Sequence, residues 1–343
     1  MPDSWIALSD CPTPVGSADP SDVLPRGAFV MELMLPLSGP VVLLDHAFTD
    51  AKSNRAFGFS VFHDPDRGLI LLQRQGKRLL RHILPEPMTG RPGAGGAGAG
   101  ESGLVRIIFQ WDVLVRSWQL SVDMLNGHPV DIAQGVDPVL WSVADMVAIC
   151  ASGQRHASVL WFGVTTRATP PVPHPWIGQR TQVDTPDGPV AAGLLRVGDV
   201  VTTLDGGPQR VRALRHLRVP GRGAFAPILL RAPYFGTTQD LLVSSEQALC
   251  LHGTSVEYLY GEDRVLATAR HMADGIAAFA DNRRSVLTGV SLDFGGPALI
   301  TADGCILMTG GVQSGDLPAR LLHKFEVTPL LAMQARSGLR PVA

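Results

Sequence analysis

The sequence has little charge and no surplus of either sign. Charged residues make up 17% of its 343 positions, with 29 Lys and Arg against 31 Asp and Glu, for a formal net charge of −2. A protein that neutralises phosphates or binds anionic membranes through its overall charge needs a basic surplus. We therefore expect no nucleic acid among the partners of this protein.

Long hydrophobic runs are also missing. No stretch approaches the ~18 apolar residues that a membrane-spanning helix requires, and residues 1–16 lack the basic and apolar regions of a secretory signal. These absences predict a chain with no membrane span, either cytoplasmic or exported by a route independent of a signal peptide. Hydrophobic residues still make up 45% of the chain, which is enough for packed cores.

Cysteine is scarce, and its spacing shows no CxxC pair and no grouping with histidines of the kind that binds zinc. The four residues are Cys11, Cys150, Cys250 and Cys305. The last three stand in apolar runs typical of strands, which favours buried thiols over a redox role. We expect neither a metal nor a cofactor.

Short apolar runs separated by turn residues fill the stretch from Gly27 to Thr166, and sustained helical periodicity is missing there. The runs predict nine strands: Ala28–Pro36, Val41–Phe48, Ala56–His63, GLILLQR, RLLRHI, Leu104–Asp112, Ser117–Met124, DMVAIC and VLWFGVT. Their spacing is typical of stacked antiparallel sheets. The first part of the chain is therefore predicted to be an antiparallel, jelly-roll-like β-sandwich.

Two stretches of biased composition divide the chain. The glycine-alanine tract from Thr89 to Gly103 predicts a loop, because it cannot bury enough apolar surface to offset its ordering entropy. The sequence RATPPVPHP at 167–175 has four prolines and predicts an extended connector. The predicted division is an N-terminal extension (1–26), a β-sandwich (27–167), a linker (168–175), a second all-β domain (176–312) and a C-terminal tail (313–343).

The second domain carries a series of motifs in a fixed order. They are TQVDTPDG (181–188), GLLRVGDVVTTLDGGPQRVRAL (193–214), DLLVSSEQALCL (240–251), YLYGEDRVLATARHMADG (258–275) and VSLDFGGPALITADG (290–304). Each motif alone is weak, because DG turns between apolar residues occur in many β proteins. Their order and spacing resemble the hedgehog/intein (Hint) family, in particular its bacterial form.

The resemblance implies a self-cleaving site, and this sequence departs from it. In the family, a first-residue Cys or Ser attacks the preceding peptide bond, while a Thr or Ser and a His polarise that amide. Here the nucleophile position falls on Trp176, which cannot form an acyl intermediate, and the His position on Gln247, which cannot exchange a proton near pH 7. Thr181 and Ser244 remain, and Thr181 is the one hydroxyl residue between Pro173 and Asp184.

The first domain resembles laminin-G or concanavalin-like jelly rolls through the pair RIIFQWD and SWQLSVDMLNG (106–127). Such folds bind sugars or calcium at loop edges, which makes five carboxylates candidates: Asp45, Asp64, Asp66, Asp112 and Asp123. Without a constellation of the calcium-binding kind, solvated turn carboxylates are favoured. Trp111 and Trp118 are expected to pair across a hairpin as core aromatics, with a sugar-stacking platform as the alternative.

Three functions remain open. The favoured prediction is a non-enzymatic protein in which a degenerate Hint domain, with site positions Trp176, Thr181, Ser244 and Gln247, serves as a structural or interaction module beside a lectin-like sandwich. The first alternative is a working autoprocessing protein that cleaves near Pro175 or Trp176. The second is a carbohydrate-binding module. The partner is accordingly unknown, with a glycan and another protein as the possibilities.

Overall fold

The computed structural model describes residues 5–15, 19–49, 56–85, 103–125, 131–167, 169–311 and 316–336. The chain divides into two compact units, Met1–Pro171 and Val172–Ala343. Each unit has its own hydrophobic core. Of the predicted loop at Thr89–Gly103, all but Gly103 lies outside the described residues.

Where the structure describes it, the first unit consists of strands and one helix. The strands are β1 (Ala7–Leu8), β2 (Val23–Leu24), β3 (Arg26–Met34), β4 (Val41–Thr49), β5 (Ala56–Asp64), β6 (Gly68–Gln75), β7 (Arg78–Leu84), β8 (Leu104–Asp112), β9 (Ser117–Met124), β10 (Asp131–Val136), β11 (Trp141–Ser142), β12 (Gln154–Arg155) and β13 (Val159–Thr165). The helix is α1 (Val143–Ser152).

Two antiparallel sheets enclose the core of the first unit. One has the order β1-β13-β3-β8-β9-β10, the other β12-β4-β5-β6-β7, and β11 pairs with β2 at one side. Along β8 the buried Val105, Ile107, Phe109 and Trp111 alternate with side chains on the opposite face, as expected of a strand with one face on the core. The predicted antiparallel β-sandwich is confirmed.

One predicted strand is wrong. The run DMVAIC belongs to helix α1, which Ser142 caps: its hydroxyl accepts from the Asp145 N–H, and the Asp145 carboxylate accepts from the Ser142 N–H. This reciprocal capping box fixes a helix start. Met146, Ile149 and Cys150 then face the core at helical spacing. The run is short and apolar, and periodicity alone does not separate a strand from a buried helix in such a case.

The predicted N-terminal extension contributes to the first unit. β1 pairs with β13, and β2 pairs with β11. Trp5 lies edge-on against Trp161, with ring centroids 5.3 Å apart. Trp161 in turn donates from its indole nitrogen to the buried carboxylate of Glu32, which also pairs with Arg106. Residues before 27 thus complete one outer face of this unit.

The second unit contains fifteen strands and three helices in its described residues. The strands are β14 (Ile177–Gly178), β15 (Gln182–Thr185), β16 (Gly188–Ala191), β17 (Val200–Thr203), β18 (Gly207–Arg210), β19 (Ala213–Pro220), β20 (Ile228–Leu230), β21 (Leu241–Val243), β22 (Ala248–His252), β23 (Arg264–Thr268), β24 (Ala278–Ala280), β25 (Val286–Asp293), β26 (Ala298–Ala302), β27 (Cys305–Thr309) and β28 (Arg320–Leu321). The helices are α2 (Thr254–Tyr260), α3 (Ala269–Met272) and α4 (Lys324–Arg336).

The first strand of the second unit, β14, lies in the middle of one of its two sheets. One sheet has the order β19-β25-β14-β21-β20-β24, so the short β14 lies between β25 and β21. The other runs β16-β15-β26-β27-β22-β23-β28, with the β17–β18 hairpin attached to β26. In the tail, α4 adds Val327 and Leu330 to the core. The predicted all-β class is confirmed, and no helix among the described residues is long and apolar enough to cross a membrane.

Candidate functional site

Trp176 directly precedes β14 and is buried, with 3% of its surface exposed. Ile177 pairs with Val243 on one side and with Val290 on the other. The carbonyl oxygen of Trp176 accepts a hydrogen bond from the Ser244 N–H at 3.0 Å. The pairing of Ile177 on both sides therefore fixes the backbone next to Trp176.

The Trp176 ring lies across a glycine of the neighbouring strand. Gly178 pairs with Gly289, and a Cβ added at Gly289 would come within 2.5 Å of ring carbons of Trp176. Real Cβ atoms do not approach other atoms this closely, so only glycine leaves room for the indole. Glycine inside a strand weakens it unless something packs on it, and here the ring of Trp176 does so.

A tight turn carries the second group of candidate residues. Ser244 to Gln247 connect β21 to β22, and the Gln247 N–H donates to the Ser244 carbonyl at 3.0 Å. The Ser244 hydroxyl accepts from the Glu246 N–H at 3.0 Å. The side-chain nitrogen of Gln247 donates to the Met308 carbonyl at 2.7 Å and to the Ala248 carbonyl at 3.2 Å. The side chains of Ser244 and Gln247 thus both form hydrogen bonds with backbone groups.

Gln247 and Trp176 line the same small cavity, together with residues of β25 and β27. The structure therefore brings Trp176, Ser244 and Gln247 together, as the motif order predicts. Thr181 is buried beside the end of β14: its N–H donates to the Gly178 carbonyl, and its hydroxyl oxygen lies 3.3 Å from the point where a Gly178 Cβ would stand.

A cleft of about 820 Å³ opens beside this cavity within the second unit. Its lining includes His174, Pro175, Arg215, Glu246, Ser291 and Asp293. Glu246 forms an ion pair with Arg270. Burial raises the pKa of the Glu246 carboxyl, and the positive charge of Arg270 opposes that rise. The cleft thus holds charges of both signs.

The side chains at these positions can orient backbone groups, but they supply few of the functional groups that peptide cleavage requires. An amide such as Gln247 can orient a carbonyl by a hydrogen bond but cannot carry a proton between reactants near pH 7. The indole of Trp176 has no lone pair suited to attack on a carbonyl. Thr181 would need an activating base to act as a nucleophile, and its hydrogen bonds with Gly178 and Ala192 are between backbone groups.

Sequence reasoning missed three residues of this site. Gly289 receives the Trp176 ring, the Met308 carbonyl receives Gln247, and Glu246 faces the cleft. For Gly289 a signal existed, because a glycine inside a strand pattern indicates a close approach. For the other two, the sequence carries no signal, since one acts through its backbone and the other sits in a turn of ordinary composition.

The candidate carboxylates of the first unit mostly stabilise turns and strands. Asp64 accepts from the Asp66 N–H at 2.9 Å, Asp112 from the Leu114 N–H at 2.9 Å, and Asp45 from the Ser60 hydroxyl at 2.5 Å. Within the described parts of the chain, no group of three His, Cys, Asp or Glu residues is placed to hold a metal ion.

The two hairpin tryptophans point into the sandwich. Trp111 lies opposite Trp118 across β8 and β9. The Trp111 indole nitrogen donates to the Leu24 carbonyl at 3.0 Å, and Trp118 packs edge-on against His82. The expected pairing of core aromatics is what the structure shows, and both rings also line an open cleft of about 370 Å³ together with Gln110, Gln119 and Gln134.

Comparisons with known proteins bear on both units. Residues 177–309 match the family model described as the Hint domain, which confirms the resemblance of the second unit. No curated protein matches the chain significantly. Among solved structures, the crystal structure of the MchDnaB-1 intein is similar at 16% identity, covering 39% of this chain and 99% of that chain with a TM-score of 0.26.

Two further solved structures are similar to this chain over different shares of its length. The CBM40 of a Ruminococcus gnavus IT-sialidase, bound to α2,6 sialyllactose, has 12% identity, with 49% of this chain and 93% of that chain covered and a TM-score of 0.26. The LG1–3 region of the laminin α2 chain has 8% identity over 93% of this chain and 58% of that chain, with a TM-score of 0.24. At these scores the likenesses carry nothing about ligand or activity.

Proposed function

We propose that the second unit is a Hint domain that has lost self-cleavage and serves as a structural or interaction module, joined to a lectin-like β-sandwich. The observation that carries this proposal is the burial of Trp176 across Gly289 at the position where the family has its nucleophile. A large ring takes the place of a small reactive side chain. Its burial stabilises the fold by ~2–3 kcal/mol, which gives the position a packing role.

The second support for this proposal is the state of Gln247. Its amide nitrogen is engaged by the Met308 and Ala248 carbonyls, so it ties the turn after β21 to the end of β27. A histidine that activates an amide must instead keep a ring nitrogen available for proton transfer. Ser244 likewise binds the backbone of its own turn. The four positions Trp176, Thr181, Ser244 and Gln247 then form a degenerate site whose remaining role is structural.

The test is the mass of the purified full-length chain. We expect one species of 36.6 kDa after prolonged incubation with a thiol at neutral pH, because a thiol attacks a thioester and no cysteine stands at the junction to form one. Two fragments divided at Pro175 or Trp176 would instead establish the active autoprocessing alternative.

A variant sharpens the test by restoring the missing groups. Trp176→Cys combined with Gln247→His supplies a thiol and an imidazole at the two departed positions. Thiol-induced cleavage of this variant, with the parent chain intact under the same conditions, would show that the loss of these two groups ended the reaction. Trp176→Ala combined with Gln247→His is the matched control, because it removes the ring and supplies the imidazole without supplying a nucleophile.

A further inference from the structure

The outer face of the five-stranded sheet in the first unit is unusually apolar. Three residues there are prominent: Leu79 on β7 is 63% exposed, Val42 on β4 46% and Ile83 on β7 39%. Contiguous apolar surface of this kind on a sheet typically marks an interface. The outer face of the other sheet also exposes Ile132 and Val136, at 52% and 71%, but a polar row of Gln110, Gln119 and Gln134 crosses it.

Strand register arranges the outer face into three parallel rows. The first row is apolar throughout: Val42, Phe62, Ile70 and Ile83 across β4, β5, β6 and β7. The middle row reads Asp45, Ser60, Leu72 and Arg81. The third reads Ala47, Gly58, Arg74 and Leu79. We name these four strands and their three rows the outer sheet face.

The rows make the outer sheet face complementary to itself. A two-fold axis parallel to the strands, passing between β5 and β6, places β4 of one copy over β7 of the other while keeping each row over itself. Asp45 then faces Arg81 of the second copy, and Arg81 faces its Asp45. In a two-fold dimer each such contact occurs twice.

Shape agrees with charge in the same arrangement. A groove of about 480 Å³ follows the third row, with Ala47 and Gly58 in its lining at the β4 end and Arg74 and Leu79 at the β7 end. The same two-fold axis brings the exposed Leu79 of the second copy over Ala47, into this groove. The apolar first row packs onto its own counterpart, so that Val42 meets Ile83 and Phe62 meets Ile70.

We propose that this face binds a second copy of the same chain, forming a symmetric dimer in which two outer sheet faces pack together. Four strands at ~4.8 Å spacing and seven to nine residues at ~3.3 Å rise span about 19 by 23 to 30 Å. This flat area, roughly 440 to 570 Å², is smaller than the ~800 Å² per partner of a standard interface. We therefore expect a dimer at the weak, micromolar end of the affinities that standard interfaces reach.

Sedimentation velocity on the full-length chain, from about 1 to 100 µM to cover the micromolar range, tests the proposal. We expect the wild type to reach twice the 36.6 kDa chain mass and Leu79→Glu to stay monomeric at the same concentrations. The matched control is Ile132→Glu, which places the same charge at a 52% exposed position on the other sheet. It should dimerise like the wild type.

The charge pair supplies a second readout that does not depend on apolar burial. Asp45→Arg and Arg81→Asp should each weaken dimerisation about tenfold, since each makes two like-charge contacts. The double variant should return to within about threefold of the wild type by the same reasoning on complementary charge. Circular dichroism checks that every variant is folded.

Three results would overturn the proposal. The first is a wild type that stays monomeric throughout the concentration range. The second is a dimer that Ile132→Glu disrupts and Leu79→Glu leaves unchanged, which would place the contact on the other sheet. The third is a double charge variant no stronger than either single variant, which would remove the pairing of Asp45 with Arg81.

Discussion

Trp118 in the first unit and Trp176 in the second are packed in the same way, each across a glycine of the adjacent strand. An added Cβ would come within 2.4 Å of the Trp118 ring at Gly135, and within 2.5 Å of the Trp176 ring at Gly289. No covalent chemistry is expected at the Trp118 position, whereas the order of the motifs predicts the nucleophile position of a Hint domain at Trp176. The comparison shows that this packing arrangement needs no active site to account for it.

The polar neighbours of the Trp118 and Trp176 rings differ in whether they can gain a proton. Beside Trp118 lies His82, with ring centroids 4.3 Å apart, and His82 shares a 3.0 Å hydrogen bond with Gln73. Beside Trp176 lies Gln247, in the same cavity. Imidazole gains a proton within the ordinary pH range and a primary amide does not. The aromatic cluster of the first unit therefore responds to acid, and that of the second does not.

The largest expected effect is the acid sensitivity of the first unit. Burial lowers the pKa of His82 from 6.5 to about 4. Above pH 6.5 the histidine is neutral in both states and contributes no pH dependence. Between pH 6.5 and 4 it is protonated only in the unfolded chain, so the free energy of unfolding falls, by up to about 3 kcal/mol at pH 4.

His82→Gln tests this expectation, because glutamine keeps a polar group without a titrating proton. Urea unfolding of the first unit at pH 7, 5.5 and 4 should show a shallower decline in the variant. Some decline remains, since burial also lowers the pKa of His63 and His46. Identical pH profiles for parent and variant would mean that His82 is not held neutral.

The second prediction concerns the two glycines. Gly289→Ala should lower the free energy of unfolding of the second unit by about 2 kcal/mol, because Trp176 is enclosed and cannot move away. Gly135→Ala should cost the first unit about 1 kcal/mol or less, since Trp118 is only half-buried and its ring can shift outward. Unit-resolved hydrogen exchange measures both.

A double-mutant cycle separates the clash from other effects of the methyl group. Trp176→Leu combined with Gly289→Ala should cost less than the sum of the two single changes, because the smaller side chain no longer meets the added Cβ. Additive costs, or equal losses at Gly289 and Gly135, would contradict the enclosed position of Trp176.

Much of the fold follows from strand patterning, and the exceptions have physical causes. The sequence predicts β8 and β9 with the ends that the structure has, because turn residues bound both runs and the apolar residues of β9 alternate with polar ones. β10 was missed, since DIAQGV is an edge strand with four of its six residues exposed and no apolar run to mark it. Helix α1 was assigned as a strand, although the Ser142 and Asp145 pair of its capping box is visible in the sequence.

In the candidate site, too, the sequence predicts some features and not others. The proximity of Trp176, Ser244 and Gln247 follows from the order of the Hint motifs, because those motifs fix which strands are neighbours. A glycine inside the β25 pattern indicates a close approach at Gly289, but not which side chain approaches, since that depends on the register of β14 against β25, two strands far apart in the sequence. Local pattern gives the elements, whereas register between distant strands decides which side chains meet.

The smallest expected effect comes from giving the second unit the titrating group that the first unit has. In Gln247→His, a neutral imidazole can still donate to the Met308 carbonyl that Gln247 binds. Burial at this position lowers the pKa of the introduced histidine, and the carbonyl acceptor offsets part of that shift. As pH falls below about 6.5, the unfolded chain takes up the proton first, and the second unit should lose about 1 kcal/mol of stability by pH 5. The parent chain, with an amide at position 247, should show no such loss from this site. His82→Gln in the first unit is the reciprocal change, so the two variants together should exchange the acid sensitivity of the two aromatic clusters. If Gln247→His and the parent chain decline equally between pH 7 and 5, position 247 is open to water and the comparison between the two clusters fails.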